Sequence, residues 1–214
     1  MAIVIDQHLA DEELIPRILS GEKHLFERFM TKYNQRLYRI GMAILHDEGE
    51  VEEAMQSAYI KAYENLVQFE GKSSFATWLT RILINEALMM LKKRRTHQAL
   101  DETISETQVD SQHPMNALLN EELNVQLKNA VAQLPGPYRL VFIMREIEGM
   151  SIAETTQCLC ISEANVKVRL NRAKEMLRNS LSHYVKAKDL YSFHLDRCEQ
   201  IRKKVMAAIN HDPL

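Results

Sequence analysis

Leu134-Pro135-Gly136-Pro137-Tyr138-Arg139-Leu140-Val141-Phe142-Ile143-Met144-Arg145-Glu146-Ile147-Glu148-Gly149-Met150-Ser151-Ile152-Ala153-Glu154, continuing to Ile161-Ser162-Glu163-Ala164-Asn165-Val166-Lys167-Val168-Arg169-Leu170-Asn171-Arg172-Ala173-Lys174, spells three helices with sharp turns and loads the last with cations. In the last helix Val166, Leu170, Ala173 and Leu177 recur at helical steps and form one apolar stripe. Lys167, Arg169, Arg172, Lys174 and Arg178 fall largely off it. Ser162 stands where a side-chain oxygen caps the first free amides, which starts the helix there and puts Glu163, Asn165 and Lys167 at its exposed front. The preceding helix starts at Ser151, with Glu154 as its capping-box partner and Ile152 and Leu159 as apolar anchors; Leu159-Cys160-Ile161 is the turn. This is the outline of a helix-turn-helix DNA reader, whose second helix offers its front residues to base edges. The plainer alternative is a helical domain in which the cations only solvate an outer face.

Working outward, the run from Leu134 to Arg178 resembles the carboxy-terminal promoter-binding domain of extracytoplasmic-function (group IV) sigma factors of bacterial RNA polymerase, in the sigma-seventy superfamily. The resemblance rests on Leu134-Pro135, Arg145-Glu146, Gly149 with Ser151, and Val166-Lys167 with Arg169, Arg172 and Ala173. It implies that Ser162, Glu163, Asn165, Lys167, Arg169 and Arg172 meet the minus-thirty-five promoter element. Three positions depart from the family pattern: Cys160 replaces the turn glycine, Thr155 an aliphatic and Asn165 a threonine. A residue without glycine's freedom at the turn carries positive-φ strain or reshapes the turn.

The amino-terminal half supports the same reading. From Glu13 to Arg95 the chain shows three or four long helical segments, one carrying Leu25, Phe29, Leu37, Ile40 and Ile44, the next Val51, Met55, Ala58 and Ala62, then Phe75 to Lys93. Glu52, Glu53 and Gln56 lie on the polar face of a helix similar to the family's docking helix for the largest polymerase subunit; alone, it would read as a solvated acidic face. The segment Phe69 to Asn85 is similar to the family's loop and helix for the minus-ten element. The resemblance implies a base extruded from the non-template strand and held by Phe69, Lys72, Ser73 and Ser74, with Phe69 equally suited to anchor the loop in the core. Extrusion costs a few kcal/mol of unstacking that stacking and hydrogen bonds must offset. Arg81, Asn85, Lys92, Lys93 and Arg94 complete that candidate site, the cations as phosphate contacts. Trp78, Ile82, Asn85 and Met89 share a helical spacing that makes Trp78 a core residue.

Composition fits two small helical cores. The chain has 214 residues, 46% of them hydrophobic, and a formal net charge of -2, which by itself argues against nucleic-acid binding. The distribution answers this, because cations cluster at Lys92 to Arg95 and from Lys167 to Arg178, whereas Asp101, Glu102, Glu106, Asp110, Glu121 and Glu122 occupy a stretch free of Lys and Arg. The expected architecture is all-α: an amino-terminal helical domain over residues 1–97, an acidic linker over 98–120, a helix-turn-helix domain over 121–183 and a helical tail of unassigned role over 184–214. The linker reads either as a nucleic-acid mimic or as a simple tether. In the tail, Leu190, His194, Cys198, Ile201 and Val205 trace a helical stripe, consistent with a packing helix or with a modulator of polymerase or inhibitor access.

No signal peptide or apolar run of spanning length is present, so a cytoplasmic protein without membrane insertion is expected. Cys158, Cys160 and Cys198 make neither a disulfide framework nor, with His183 or His194, a zinc set, so no metal and no cofactor are expected. A redox role for the thiols stays open. The resemblance implies core RNA polymerase, promoter DNA and an anti-sigma factor as partners. Two other classes stand beside it: a helix-turn-helix regulator that binds duplex DNA without polymerase, and an all-helical adaptor or inhibitor-binding module with degenerate DNA contacts. An enzyme fits worst, since no phosphate-binding glycine loop or activated nucleophile is present.

Overall fold

The computed structural model describes residues 10–100 and 120–182, and all regular structure among them is helical. The elements are α1 (Asp11–Leu19), α2 (Glu27–Leu45), α3 (Glu48–Glu64), α4 (Phe75–Leu100), α5 (Asn120–Gln133), α6 (Gly136–Phe142), α7 (Ile152–Leu159) and α8 (Glu163–Ser182). Short 3₁₀ turns at Lys23–Phe26 and Leu66–Gln68 precede α2 and follow α3, and α6 runs into a wider π-helical turn at Ile143–Ile147. The acidic stretch from 101 to 119 and the tail from 183 lie outside the described residues.

α2, α3 and α4 pack on one another around Phe29, Leu37, Ile40, Val51, Ala58, Leu79 and Leu83, each buried. Gly41 lets α2 and α3 come close: a Cβ there would sit 2.8 Å from Val51 Cγ1. Phe29 stacks on Phe75 with ring centroids 4.0 Å apart, and Phe26 meets Phe29 edge-on at 5.7 Å, which ties the start of α2 to the start of α4. At its own start α3 is capped by Asp47, whose Oδ1 accepts the Glu50 N–H at 2.8 Å.

The second half packs directly on the first. α7 lies against α4, and α6 with its π turn against α2. Leu140, Met144, Met150 and Cys158 join the same buried apolar cluster as the residues of α2 to α4. Polar groups stitch this seam. The Glu148 side chain, only 7% exposed, sits between Arg39 at 3.0 Å and Arg36 at 3.5 Å. Arg139, buried on α6, donates from Nε to the Ala43 carbonyl at 3.0 Å and from Nη1 to the Ala132 and Leu134 carbonyls at 2.6 and 2.8 Å; its Nη2 meets His46 Nε2. The chain clusters into two compact units, residues 1–177 and 178–214, and both halves of this seam belong to the first.

Two sequence expectations are corrected and one is refined. The buried stripe of α4 runs through Phe75, Leu79, Leu83 and Ala87, while Asn85 and Met89 are exposed and Trp78 and Ile82 half-buried. Two apolar stripes compete on this helix, and α2 and α3 select the one nearer Phe75. On α7 the fully buried positions are Thr155 and Cys158, which face α4, while Ile152 and Leu159 are half-buried, Leu159 packed against the same core. Finally, α4 continues to Leu100, into the segment assigned to the linker, since neither Gly nor Pro stops it before then.

Candidate nucleic-acid interface

At the start of α4, the loop after α3 and the outer face of the helix enclose a cleft of about 560 Å³. Phe69, Lys72, Ser73, Arg81 and Asn85 line it, as the sequence suggests; Lys61, Asn65, Gln68, Trp78, Ile82 and Glu86 line it without having been singled out for that role. Phe69 and Trp78 meet at 5.4 Å and both lean on Phe75, at 5.7 Å each, so the aromatic wall is braced from the core. Lys61 pairs with the buried Glu86 at 2.6 Å, and the exposed Lys72 pairs with Glu70. Asn65 donates to the Lys61 carbonyl at 2.8 Å and accepts from Gln68 at 3.0 Å, which fixes both amides on one rim. The fixed amides, cations and aromatic faces suit a flat polar heterocycle.

Ser74 does not line the cleft. Its Oγ accepts the Thr77 N–H at 3.2 Å and bonds the Thr77 hydroxyl at 2.8 Å, so it caps α4 and sets where the helix begins. Lys92, Lys93 and Arg94 stand farther along α4, outside the cleft lining; Arg94 pairs with Glu50 of α3 at 3.0 Å.

The helix-turn-helix follows the sequence closely. Ser151 and Glu154 form the reciprocal capping box of α7, with Glu154 N–H to Ser151 Oγ at 3.1 Å and Ser151 N–H to Glu154 Oε2 at 2.7 Å. Glu154 also accepts from the Thr77 hydroxyl at 3.1 Å. Its carboxyl is held below its ordinary range, first by the Ser151 N–H, against the opposing effect of burial, with help from both hydroxyls. Cys160 has φ 52 and ψ 42, so the position usually held by glycine keeps its left-handed geometry with a Cβ attached. That conformation costs a non-glycine residue roughly 1–2 kcal/mol. Cys160→Gly is therefore expected to raise stability by about 0.5–1 kcal/mol after glycine's entropic cost. Thermal unfolding of the two proteins side by side checks it, an unchanged or lower midpoint counting against strain at the turn.

Ser162 Oγ accepts the Asn165 N–H at 3.3 Å and so starts α8. Val166, Ala173 and Leu177 are buried along the expected stripe, and Glu163 and Lys167 are exposed, 3.8 Å apart. The candidate readers are coupled: Arg169 Nε donates to Asn165 Oδ1 at 2.9 Å, and Arg172 donates to the Tyr138 hydroxyl at 3.2 Å. Cys158 is buried, its thiol donates to the Thr77 carbonyl at 3.4 Å, and burial pushes its pKa up to about 12, which keeps it an unreactive thiol. On α3, Glu52, Glu53 and Gln56 are all exposed, and one turn beyond Gln56 the polar face continues into Ile60, 59% exposed. An apolar residue at that step of a polar face was the available signal for it. Among the described residues no His, Cys, Asp and Glu group with metal-holding geometry occurs, and no helix is long and apolar enough to cross a membrane.

An all-helical chain with an exposed, capped recognition helix in one half and an aromatic, cation-rimmed cleft in the other belongs to the class of helical DNA-reading proteins. Family models agree on both halves: residues 29–97 match Sigma-70 region 2 and residues 124–177 match Sigma-70, region 4. The chain is 31% identical over 180 residues to the RNA polymerase sigma-H factor of Pseudomonas aeruginosa, covering 80% of this chain and 93% of that one. It is 28% identical over 176 residues to the ECF RNA polymerase sigma factor SigW of Bacillus subtilis (78% and 94%) and 27% over 191 residues to the ECF RNA polymerase sigma-E factor of Escherichia coli (85% and 100%). The fold is shared with the sigma factor RpoE crystallised with the anti-sigma factor NepR from Bartonella quintana, at TM-score 0.61 and 22% identity over 73% of this chain and 96% of that one. It is shared also with CnrH in complex with the cytosolic domain of CnrY, at TM-score 0.59 and 21% identity over 81% and 97%. The chain belongs to the extracytoplasmic-function group of the sigma-70 family, whose members bind core RNA polymerase and direct promoter-specific initiation of transcription.

Proposed function

We propose that this sigma factor divides its labour between the two seamed halves. Glu52, Glu53 and Gln56, extended by Ile60, form the polymerase-docking face of α3. The cleft receives a base extruded from the non-template strand at the minus-ten element, with Phe69 and Trp78 as the stacking wall, Asn85 and the Asn65–Gln68 amides as hydrogen-bonding groups, and Arg81 with Lys72 on the phosphates. Ser74 supports that site as a helix cap. Lys92, Lys93 and Arg94 extend the phosphate contact along α4, Arg94 by exchanging Glu50 for DNA. In the other half Ser162, Glu163, Asn165, Lys167, Arg169 and Arg172 meet the minus-thirty-five element in the major groove. The amino-terminal domain assigned from sequence as 1–97, which α4 carries on to Leu100, and the helix-turn-helix domain at 121–183 are the units that perform these tasks, with the acidic linker of 98–120 shortened accordingly. The protein makes and breaks no bond itself, acts in the cytoplasm where polymerase works, and is restrained by an anti-sigma factor, as RpoE and CnrH are bound by NepR and CnrY in the related complexes.

The observation that carries this reading is the presence in one chain of both family segments, with Glu52, Glu53, Gln56, Glu163, Lys167 and Arg172 exposed on them. Run-off transcription with purified core polymerase on a promoter library tests it. Start sites that depend on the added chain are expected; specific duplex binding by the free protein without such starts would favour a stand-alone regulator.

The Arg169–Asn165 bond refines one expectation. Removing Arg169 takes away a phosphate contact and also the group that holds Asn165 in place. Arg169→Ala is expected to weaken promoter-duplex binding about tenfold on every sequence, reduce the salt slope by about one unit, and relax preference at the base facing Asn165. Binding titrations at several salt concentrations check it, an unchanged salt slope refuting the phosphate contact.

A further inference from the structure

His46 lies in the seam between α2 and α6. His46 ends α2 in a left-handed conformation, φ 64, and turns its ring toward the second half of the molecule. There Nε2 meets Arg139 Nη2. A guanidinium has donors only and stays protonated in proteins, so the contact is a hydrogen bond only if His46 Nε2 accepts, which requires a neutral ring with its proton on Nδ1. Arg139 has no freedom to turn away, because its Nε and Nη1 are committed to the Ala43, Ala132 and Leu134 carbonyls.

We propose that His46 is a proton-sensitive latch: neutral, it holds the helix-turn-helix half closed on the α2–α4 half, and protonated, it releases it. Protonation removes the acceptor and sets a second cation against a buried one. The charged groups facing His46 are Arg139 from α6 and Arg94 from α4. Arg94 is already paired with Glu50 of α3, neighbouring Asp47 accepts the Glu50 N–H through Oδ1, and no carboxylate is ion-paired with His46 among the described residues. Burial, then Arg139, then Arg94 lower the His46 pKa from its ordinary value.

The direction follows from this depression. In the open form His46 titrates near its ordinary value, about 6.5, and in the closed form lower. Closure is therefore favoured in full above about pH 6.5 and loses ground as pH falls through the window between the two values. Each unit of depression changes the closed-to-open ratio tenfold. The other polar links across the seam are Glu148 with Arg36 and Arg39, and Glu154 with the Thr77 hydroxyl; Ser151 holds the Glu154 carboxyl below its ordinary range.

Opening matters because the closed unit cannot reach both promoter elements. A compact body the length of residues 1–177 has a radius of gyration of roughly 16 Å and is about 40 Å across. Elements centred about 25 base pairs apart are separated by about 85 Å at 3.4 Å per base pair.

Small-angle scattering of the full chain from pH 8 to pH 5.5 tests the latch, with helicity followed by circular dichroism. The radius of gyration of the wild type is expected to rise below about pH 6.5 at unchanged helicity. His46→Gln, whose amide oxygen accepts from Arg139 without titrating, is expected to stay compact throughout, which separates His46 from the other histidines of the chain. His46→Lys, permanently charged, is expected to be expanded already at pH 8. A wild type that stays compact at pH 5.5, a His46→Gln protein that expands in parallel with it, or a compact and fully helical His46→Lys protein at pH 8 would each overturn the proposal. Scattering reads closure and not promoter use, so none of these outcomes bears on the assignment of the DNA-binding faces.

Discussion

Replacing Arg139 by alanine is expected to destabilise the chain by about 3–5 kcal/mol, because three buried or part-buried carbonyls lose a charged donor at roughly 1–3 kcal/mol each. The side chain is 7% exposed, and its guanidinium is shared by two carbonyls around the end of α5, one carbonyl of α2 and the His46 ring. Alanine leaves those carbonyls without their donor in a place that water reaches poorly, which costs more than the net value of the bonds themselves. Arg139→Lys is expected to recover only part of the loss, since an ammonium cannot spread donors over directions set by a planar fork. Denaturant unfolding gives the comparison. A loss below 1 kcal/mol for the alanine variant would show that the guanidinium is not the anchor of the seam. Alanine should also unlock the two halves before they unfold, so an added low-denaturant transition that the wild type lacks is part of the expected result.

The seam marks where sequence reasoning stops. Periodicity finds α2, α3 and α8, because each buries a single apolar stripe, and local chemistry finds the caps of α7 and α8, because a serine oxygen reaches an amide three residues on. What periodicity cannot supply is the partner of a helix. Arg139 sits in a family-like motif on α6, yet nothing in its neighbourhood along the chain announces that it reaches Ala43 and His46, more than ninety positions earlier. α4 fails for a related reason. It carries two apolar stripes, and only the packing of α2 and α3 decides that Phe75, Leu79 and Leu83 are core while Trp78 and Ile82 face the cleft. Ser74 lies in a polar loop that the sequence offers to a ligand, and only the start of α4 in space shows that its Oγ also caps that helix.

That division of α4 makes Phe75 the residue through which fold and cleft are joined. Phe75 is 1% exposed, stacks on Phe29 at 4.0 Å, and supports both Phe69 and Trp78 at 5.7 Å. Phe75→Ala is expected to cost about 3–5 kcal/mol, from lost apolar burial plus the cavity left among rings too constrained to collapse into it. The informative comparison is Phe75→Leu, which keeps most of the volume and is expected to cost about 1–2 kcal/mol, leaving the chain folded at 25 °C. Leucine has no flat face on which Phe69 and Trp78 can rest, so the wall should lose its fixed spacing while the polar rim, held by Asn65, Gln68, Lys61 and Glu86, stays in place. Stacking of one base on such a wall is worth about 1–3 kcal/mol, and promoter melting by polymerase bearing Phe75→Leu is expected to fall roughly tenfold while binding to core polymerase is kept. Run-off transcription on a duplex promoter and on one with the minus-ten region already unpaired separates the steps: the variant should be impaired on the first and largely restored on the second if the rings assist opening, and equally impaired on both if they act only in holding the extruded base.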